Sequence, residues 1–451
     1  MKLRGTTASS SPEWWQILVL AWPVILGHVG MMAMGVVDVI MVGQLGGREL
    51  AITALGHTWS FAAVIVGIGM TLGLDPVVSQ AWGAQDHRTV GLATGRGVVV
   101  AVLVSVPLVI HHLLATQGLA LLAQPDDLLE PSARFSEALA WSVVPLLVFT
   151  ALRQTLQGLG IMKPATWVVL GCNVLNAVAN WVWMYGNLGA PAMGAQGCAW
   201  ATTLSRWVML LCLALLALPV LRPYWVSWRE SFGLAGILQL LGLGLPLGLQ
   251  LGLEVWSFNA ALVMMGWMGE NQVAAHTVAI NLASISFMVP LGLGAAAATV
   301  VGNRFGAGEA WWGAARSALI LGVGFMCVSS LTFFLFPGPL ARLYTDDPRV
   351  LELAVTLIPL AATFQLFDGA QVVSFGVLRG LGDVRLPVVL NALAFWGVGL
   401  PVGYHLSFAR QMGAPGVWWG LAAGLSTVAC LLLIRIRWMR APGRARRVLG
   451  A

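Results

Sequence analysis

Val36-Val37-Asp38-Val39-Ile40-Met41-Val42-Gly43 places one carboxylate near the end of an otherwise apolar run that begins at Trp14. A stretch of that length and character reads as a membrane-spanning helix, and an ionised Asp inside one costs roughly 2.5 to 3.5 kcal/mol on insertion scales. Such a residue is there for work. Two more acids sit in comparable surroundings, Glu254 in LQLGLEVWSFNAALVMM and Asp368 in ATFQLFDGAQVVSFGVL. At the same per-residue figures the three together oppose insertion by roughly 8 to 10 kcal/mol. A cation site accounts for that cost; a structural pairing with a buried donor is the alternative.

The composition agrees. The chain has 451 residues, 58% hydrophobic and 9% charged, with mean hydropathy +0.84. A globular chain carries about 25% charged residues, so this is an all-α polytopic membrane protein. The net charge of +6 does not point to nucleic acid, because the basic residues lie between apolar runs and at the two ends. The five cysteines (Cys172, Cys198, Cys212, Cys327, Cys430) fall in or beside apolar runs without CxxC spacing or a His cluster, and read as packing residues. No HExxH, GxSxG or Walker sequence is present, which disfavours a membrane-embedded enzyme and excludes an ATP-driven pump; no cofactor is expected.

Apolar runs bounded by Gly, Pro and charge predict twelve transmembrane helices: 14–42, 52–81, 92–122, 133–157, 164–186, 194–219, 234–267, 273–302, 314–340, 350–378, 386–408 and 414–436. Ser11-Pro12-Glu13 suits the start of the first, with Ser as N-cap and Pro at the first helical position. The longest polar connection, Arg222 to Ser231, separates two halves. The predicted organisation is a cytoplasmic segment 1–13, a lobe 14–219, a linker 220–233, a second lobe 234–437 and a basic tail 438–451. With both termini cytoplasmic, eighteen of the 24 Lys and Arg residues fall inside. Arg48, Arg134, Arg342, Arg349 and Arg410 fall outside, and Arg206 lies within a span. That is the positive-inside pattern. The tail RIRWMRAPGRARR reads as an anchor on anionic membrane lipid.

The halves are repeats. A displacement of 223 pairs Pro23 with Pro246, Gly43 with Gly266, Gly46 with Gly269, Gly69 with Gly292 and Gly83 with Gly306. At 222 to 223, Gln157-Gly-Leu-Gly160 before Lys163-Pro164 matches Arg379-Gly-Leu-Gly382 before Arg385-Leu-Pro387. At 219, Met193-Gly-Ala-x-Gly197 with Trp200 matches Met412-Gly-Ala-x-Gly416 with Trp419. Six spans per repeat is an even number, so both copies have one topology, predicting two pseudo-symmetric six-helix bundles.

The chain resembles the multidrug and toxic compound extrusion (MATE) family, most closely its NorM-like bacterial branch. LAWPVILGHVG, VVDVIMVGQLG, QGLGIMKPA, CNVLNAVANWVWMYG, MGAQGCAWAT, LGLPLGLQLGLEVW and LRGLGDVRLP carry the resemblance through their order and spacing, from about residue 14 to 437. It implies a secondary antiporter of the bacterial inner membrane, exporting small organic, often cationic, compounds in exchange for Na+ or H+. A monomer is expected. A flippase for lipid or lipid-linked sugar is the rival reading; it would present a more basic cavity, whereas Arg206 is the basic residue deep within a span.

Asn176 and Asn180 stand at i and i+4 on the fifth span, at a depth comparable to that of Asp38. The resemblance makes Asp38 and these two a first-lobe cation or proton site, and adds Thr202 on the sixth span. Interhelical hydrogen bonding is the bland reading. Glu254 and Asp368 match second-lobe positions where the NorM-like branch places a cation site. Carboxylate oxygens there suit Na+ as hard ligands, and a desolvated carboxylate could carry a proton instead. A Tyr that some relatives place one turn before the span-ten acid is Phe364 here. Trp256, Phe258, Met264, Met265, Phe287 and Met288 suit a cavity for flat cations, and equally a packed or lipid-facing surface. Asp75, His28, His57 and His276 are weaker candidates.

Overall fold

In hydrocarbon a backbone N–H or C=O finds no water, so a chain of apolar runs must satisfy its polar groups within helices. The computed structural model, which describes residues 12–445 with Arg447 and Val448, does so. Eleven of the described helices are long and apolar enough to span a membrane, and one bent pair completes twelve. In chain order these are α1 (Glu13–Gly43), α2 (Gly47–Gly83), α3 (His87–Leu113), α4 (Asp126–Ala140 and Val143–Gly158), α5 (Lys163–Tyr185) and α6 (Ala195–Tyr224). The second half supplies α7 (Leu234–Gly266), α8 (Glu270–Ala307), α9 (Trp312–Leu335), α10 (Pro348–Gly380), α11 (Arg385–Ala409) and α12 (Ala414–Met439). Ser11 and most of segment 1–13, like Arg446 and Leu449 to Ala451 of the tail, lie outside the described residues.

The repeat is written into the backbone. Gly46 enters α2 at φ 114° and Gly269 enters α8 at φ 128°, while Gly160 and Gly382 leave α4 and α10 at φ 77° and 79°. L-residues with a side chain rarely hold these angles, so each pair marks one turn built twice. The runs expected at 92–122 and 314–340 each stop early and give way to a short helix, Ala115–Leu121 and Pro337–Arg342.

The fourth span departs from the straight helix expected at 133–157: its two segments meet at 44°. Pro145 explains the break, because it has no N–H to give to Trp141 O four residues earlier. The N–H of Ser142 turns to Leu139 O at 2.9 Å, so Ala138 O also loses its helical partner. Both freed carbonyls are met from α6. Thr203 Oγ1 donates to Ala138 O at 2.9 Å, and Trp207 Nε1 donates to Trp141 O at 3.1 Å.

Two compact units divide the chain. One is Leu26–Ala260 with Val384–Ala392; the other takes the described parts of Met1–Ile25, Ala261–Asp383 and Leu393–Ala451. Within the first, one apolar cluster gathers Val42, Ile52, Phe135, Met184 and Cys198, and another gathers Phe149, Leu156, Val169, Cys172 and Met209. On α5 and α6 these clusters leave a band between them, from Cys172 to Met184 and from Cys198 to Met209. The polar residues described below occupy that band.

In the second unit, small residues let helices approach closely, as packing in lipid requires. A Cβ on Gly376 of α10 would lie 2.1 Å from Gly294 O of α8, and one on Gly420 of α12 would lie 2.3 Å from Gly403 Cα of α11. Arg304 pairs with Glu13, and Arg435 with Asp383 at 2.7 Å. In the tail, Arg440 lies over the Trp312 ring and Arg444 over Trp438.

Gly376→Ala should destabilise the protein by about 1 to 3 kcal/mol through overpacking. Gly397→Ala, where an added Cβ meets nothing within 4 Å, should be neutral or slightly stabilising. Thermal unfolding of the detergent-purified variants compares them.

Asp86 caps α3, accepting from Thr89 Oγ1 at 2.6 Å and Thr89 N at 3.0 Å, and the Thr89 side-chain hydrogen bond first of all lowers its pKa. A depressed carboxylate contributes stability above its unfolded pKa and loses it as pH falls through the folded one. Asp86→Ala should cost about 1 kcal/mol at neutral pH. The gap from the parent protein should close on acidification, as read from melting curves against pH.

Candidate functional site

Asp38 stands on the last turns of α1, which ends at Gly43. Asn176 and Asn180 rise toward it from α5, both fully buried, and Thr202 comes from α6 with 8% exposure. Asn180 Nδ2 donates to Asp38 Oδ1 at 2.6 Å and Thr202 Oγ1 donates to Oδ2 at 3.2 Å. Asn180 Nδ2 also lies 3.3 Å from Asn176 Oδ1. One carboxylate thus receives a donor from each of two neighbouring helices, and the four residues that the sequence suggested for this lobe form one cluster. Each hydrogen bond to a charged group is worth about 1.5 to 3 kcal/mol, enough together to offset most of the insertion cost of an acid.

Two further residues join the cluster: Cys198, which the sequence reading did not single out, and Arg206, which it marked as the basic residue deep in a span without assigning a partner. The Cys198 thiol, counted among packing residues, lies against Asp38. Arg206 donates from Nη1 to Ser142 Oγ at 2.6 Å, and its charge acts on Asp38. The signal was available in the spacing. Cys198, Thr202 and Arg206 are i, i+4 and i+8 of α6, a single face of the helix. Buried Asn180 Oδ1 has no hydrogen-bond partner among the described residues. A carboxylate, an unused amide oxygen and a hydroxyl make an oxygen-rich set suited to a proton or a hard monovalent cation. Among the described residues no group of three His, Cys, Asp or Glu could hold a metal ion.

The second-lobe candidates have other settings. Glu254 is half-buried on α7 in the first unit, with Ser257 Oγ donating to its carbonyl at 2.7 Å. Asp368 belongs to the second unit, 5% exposed on α10, one turn after buried Phe364, whose ring centroid lies 6.0 Å from that of Trp418. His276 packs on the same Trp418 at 5.5 Å. Met265 is fully buried and Met264 nearly so, which places both in the packed core. Trp256, Phe258, Phe287 and Met288 are half-buried, and Trp256 Nε1 is taken by Ala62 O at 3.3 Å. Asp75 is 2% exposed, and His57 stacks on Phe61.

A carboxylate held by polar side chains of neighbouring apolar spans fits a polytopic membrane transporter. The family model described as MatE matches residues 23–182 and again 246–405, two stretches displaced by the same 223 residues as the sequence repeat. Among its relatives, a probable multidrug resistance protein NorM of Mesorhizobium japonicum is 38% identical over 441 residues, covering 94% of this chain and 93% of that one. The multidrug resistance protein NorM of Burkholderia vietnamiensis is 36% identical over 426 residues, 92% of either chain. The chain belongs to the MatE family, whose members are transporters and not enzymes. Its fold matches the eukaryotic MATE transporter AtDTX14 with TM-score 0.88 at 23% identity, over 97% of this chain and 99% of that one. An outward-facing multidrug resistance MATE transporter matches with TM-score 0.87 at 19% identity, over 97% and 98%.

Asn180→Ala removes the shorter of the two bonds to Asp38 and should lower stability by about 1 to 3 kcal/mol. Thr202→Val, which gives up the longer bond, should cost less. Unfolding midpoints in detergent would rank the two.

Proposed function

We propose that this protein is a cation-coupled multidrug exporter working by alternating access, exchanging organic, often cationic, compounds for Na+ or H+. The observation that carries the reading is the Asp38 carboxylate, buried among apolar spans yet held by Asn180 and Thr202. Such a group offers a charge that an incoming cation can neutralise. The multidrug resistance proteins to which the chain is similar support the substrate class. Glu254 and Asp368, each within its own unit, are further cation-binding carboxylates in this reading, with Na+ as a candidate ligand. Half-buried Trp256, Phe258, Phe287 and Met288 contribute flat or polarisable faces for aromatic cations.

The two lobes are 14–219 and 234–437, joined by the 220–233 linker. The protein resides in a bacterial inner membrane as a monomer with both termini cytoplasmic, which the distribution of Lys and Arg supports. Entry of one cation down a membrane potential contributes about 2.3 kcal/mol per 100 mV. Cation binding from outside favours drug release, and drug binding inside favours cation release.

Efflux of a fluorescent organic cation from proteoliposomes, driven separately by a Na+ gradient and by a pH gradient, tests this. At least one gradient should accelerate efflux, and Asp38→Asn should lower that acceleration about tenfold or more. Glu254→Gln and Asp368→Asn should do likewise. Acceleration by neither gradient, or full activity in all three variants, would overturn the reading.

A further inference from the structure

The turn of α6 from Thr202 to Trp207 faces two things. Thr202 holds Asp38, while Thr203, Arg206 and Trp207 hold the break of α4. The break left two carbonyls without helical partners, and Thr203 and Trp207 satisfy both. Arg206 does something else. It donates to Ser142 Oγ, which itself donates to Leu139 O at 2.6 Å, and a neutral donor would serve there equally well. A guanidinium in a spanning helix costs roughly 2.5 to 3.5 kcal/mol on insertion scales, so its charge calls for a reason beyond one hydrogen bond.

The surrounding helices narrow what balances that charge. Asp38 on α1 is held by Thr202, one turn before Arg206 on the same face of α6, and His57 on α2 and His112 on α3 also act on this region. Neither carries negative charge in any protonation state. His112 Nδ1 lies 2.7 Å from Leu108 O, with His111 beside it, and α5 brings the amides Asn176 and Asn180. Asp38 is the acid of this group.

We propose that Arg206 is a positioning residue for exchange: a fixed internal cation that balances Asp38 when no transported cation does, and that ties occupancy of Asp38 to the break of α4. The inference rests on Asp38 being a cation or proton site. With Asp38 ionised, carboxylate and guanidinium compensate each other across α1 and α6. When a cation neutralises Asp38, Arg206 becomes an uncompensated charge whose remaining hold is Ser142, at the joint between the two arms of α4. Occupancy therefore changes the force on a hinge already broken at 44°. The same arrangement keeps cation binding weak enough to reverse, because Arg206 repels the cation it competes with.

The test uses reconstituted full-length protein, measuring turnover and the coupling-cation concentration for half-maximal exchange. Arg206→Gln should bind the coupling cation roughly tenfold tighter, corresponding to about 1.4 kcal/mol of removed repulsion, while turning over more slowly. Arg206→Lys, which keeps the charge, should restore the parent affinity. Thr203→Val and Trp207→Phe remove only the neutral contacts; they should lower stability and leave cation affinity unchanged. In an Asp38→Asn background, Arg206→Gln should have no further effect on cation affinity. If Asp38→Asn impairs exchange but Arg206→Gln keeps the parent affinity, or if Thr203→Val shifts affinity as much, the role of Arg206 falls while the cation site stands. Should Arg206→Gln fail to fold, a parent-like cation affinity in Arg206→Met or a shifted one in Arg206→Lys would overturn it. Full exchange in Asp38→Asn would instead overturn the site itself.

Discussion

Hydrocarbon supplies no hydrogen bonds, and this structure is shaped by that lack. At several places where the chain departs from a plain helix or carries a polar group into a span, a neighbouring helix provides the partner. Asn173 Nδ2 reaches Gly30 O at 2.8 Å, Tyr185 Oη reaches Met41 O at 2.7 Å, and Trp59 Nε1 reaches His111 O at 3.0 Å. Each of these contacts ties together helices that apolar packing alone would leave free to slide, since lipid tails are as apolar as the side chains. The Asp38 cluster is the same device with a charge in it. The donors that let a carboxylate enter the membrane also join α1, α5 and α6, so any ligand that changes the charge acts on all three at once.

Much of this was legible in sequence because its signals were additive and local. Twelve apolar runs gave twelve spans, and the register of glycines predicted a repeat that reappears as matched positive φ at Gly46 and Gly269 and at Gly160 and Gly382. One helical period and a comparison of depth were compatible with Asp38 meeting Asn180, and the family resemblance supplied the pairing. What sequence reading missed was of two kinds. Cys198 looked like packing because its residue type is usually apolar filler, and only the position of α6 against α1 gives its thiol a carboxylate. The break of α4 was passed over because Pro145 sits in a run whose hydropathy does not falter; hydropathy counts side chains and is blind to a missing N–H. For Met264 and Met265 the sequence left a cavity wall and a packed surface equally open, and the structure buries both. A flexible sulfur side chain suits a cavity wall and a dense core equally, and burial alone decides.

The two halves, though repeats, have diverged at matched positions, and the divergence is internally consistent. The described α4 segments run 126–158 and α10 runs 348–380, displaced by 222 at both ends. In that register Pro145 faces Phe367 and Leu146 faces Asp368. Where the first half has a proline and a broken span, the second has an unbroken helix with an acid at the next position. The partners of the break diverge in step. In the 219 register that pairs Gly197 with Gly416, Thr202, Thr203, Arg206 and Trp207 correspond to Leu421, Ala422, Leu425 and Ser426. Leu421 and Leu425 are packed in the core. At the positions matching the break the second half keeps a continuous helix, and an apolar residue, Leu425, stands where the first half has Arg206. The staple and the break therefore belong to one arrangement, found in one copy, and the charge of Arg206 belongs to it together with the acid on α1.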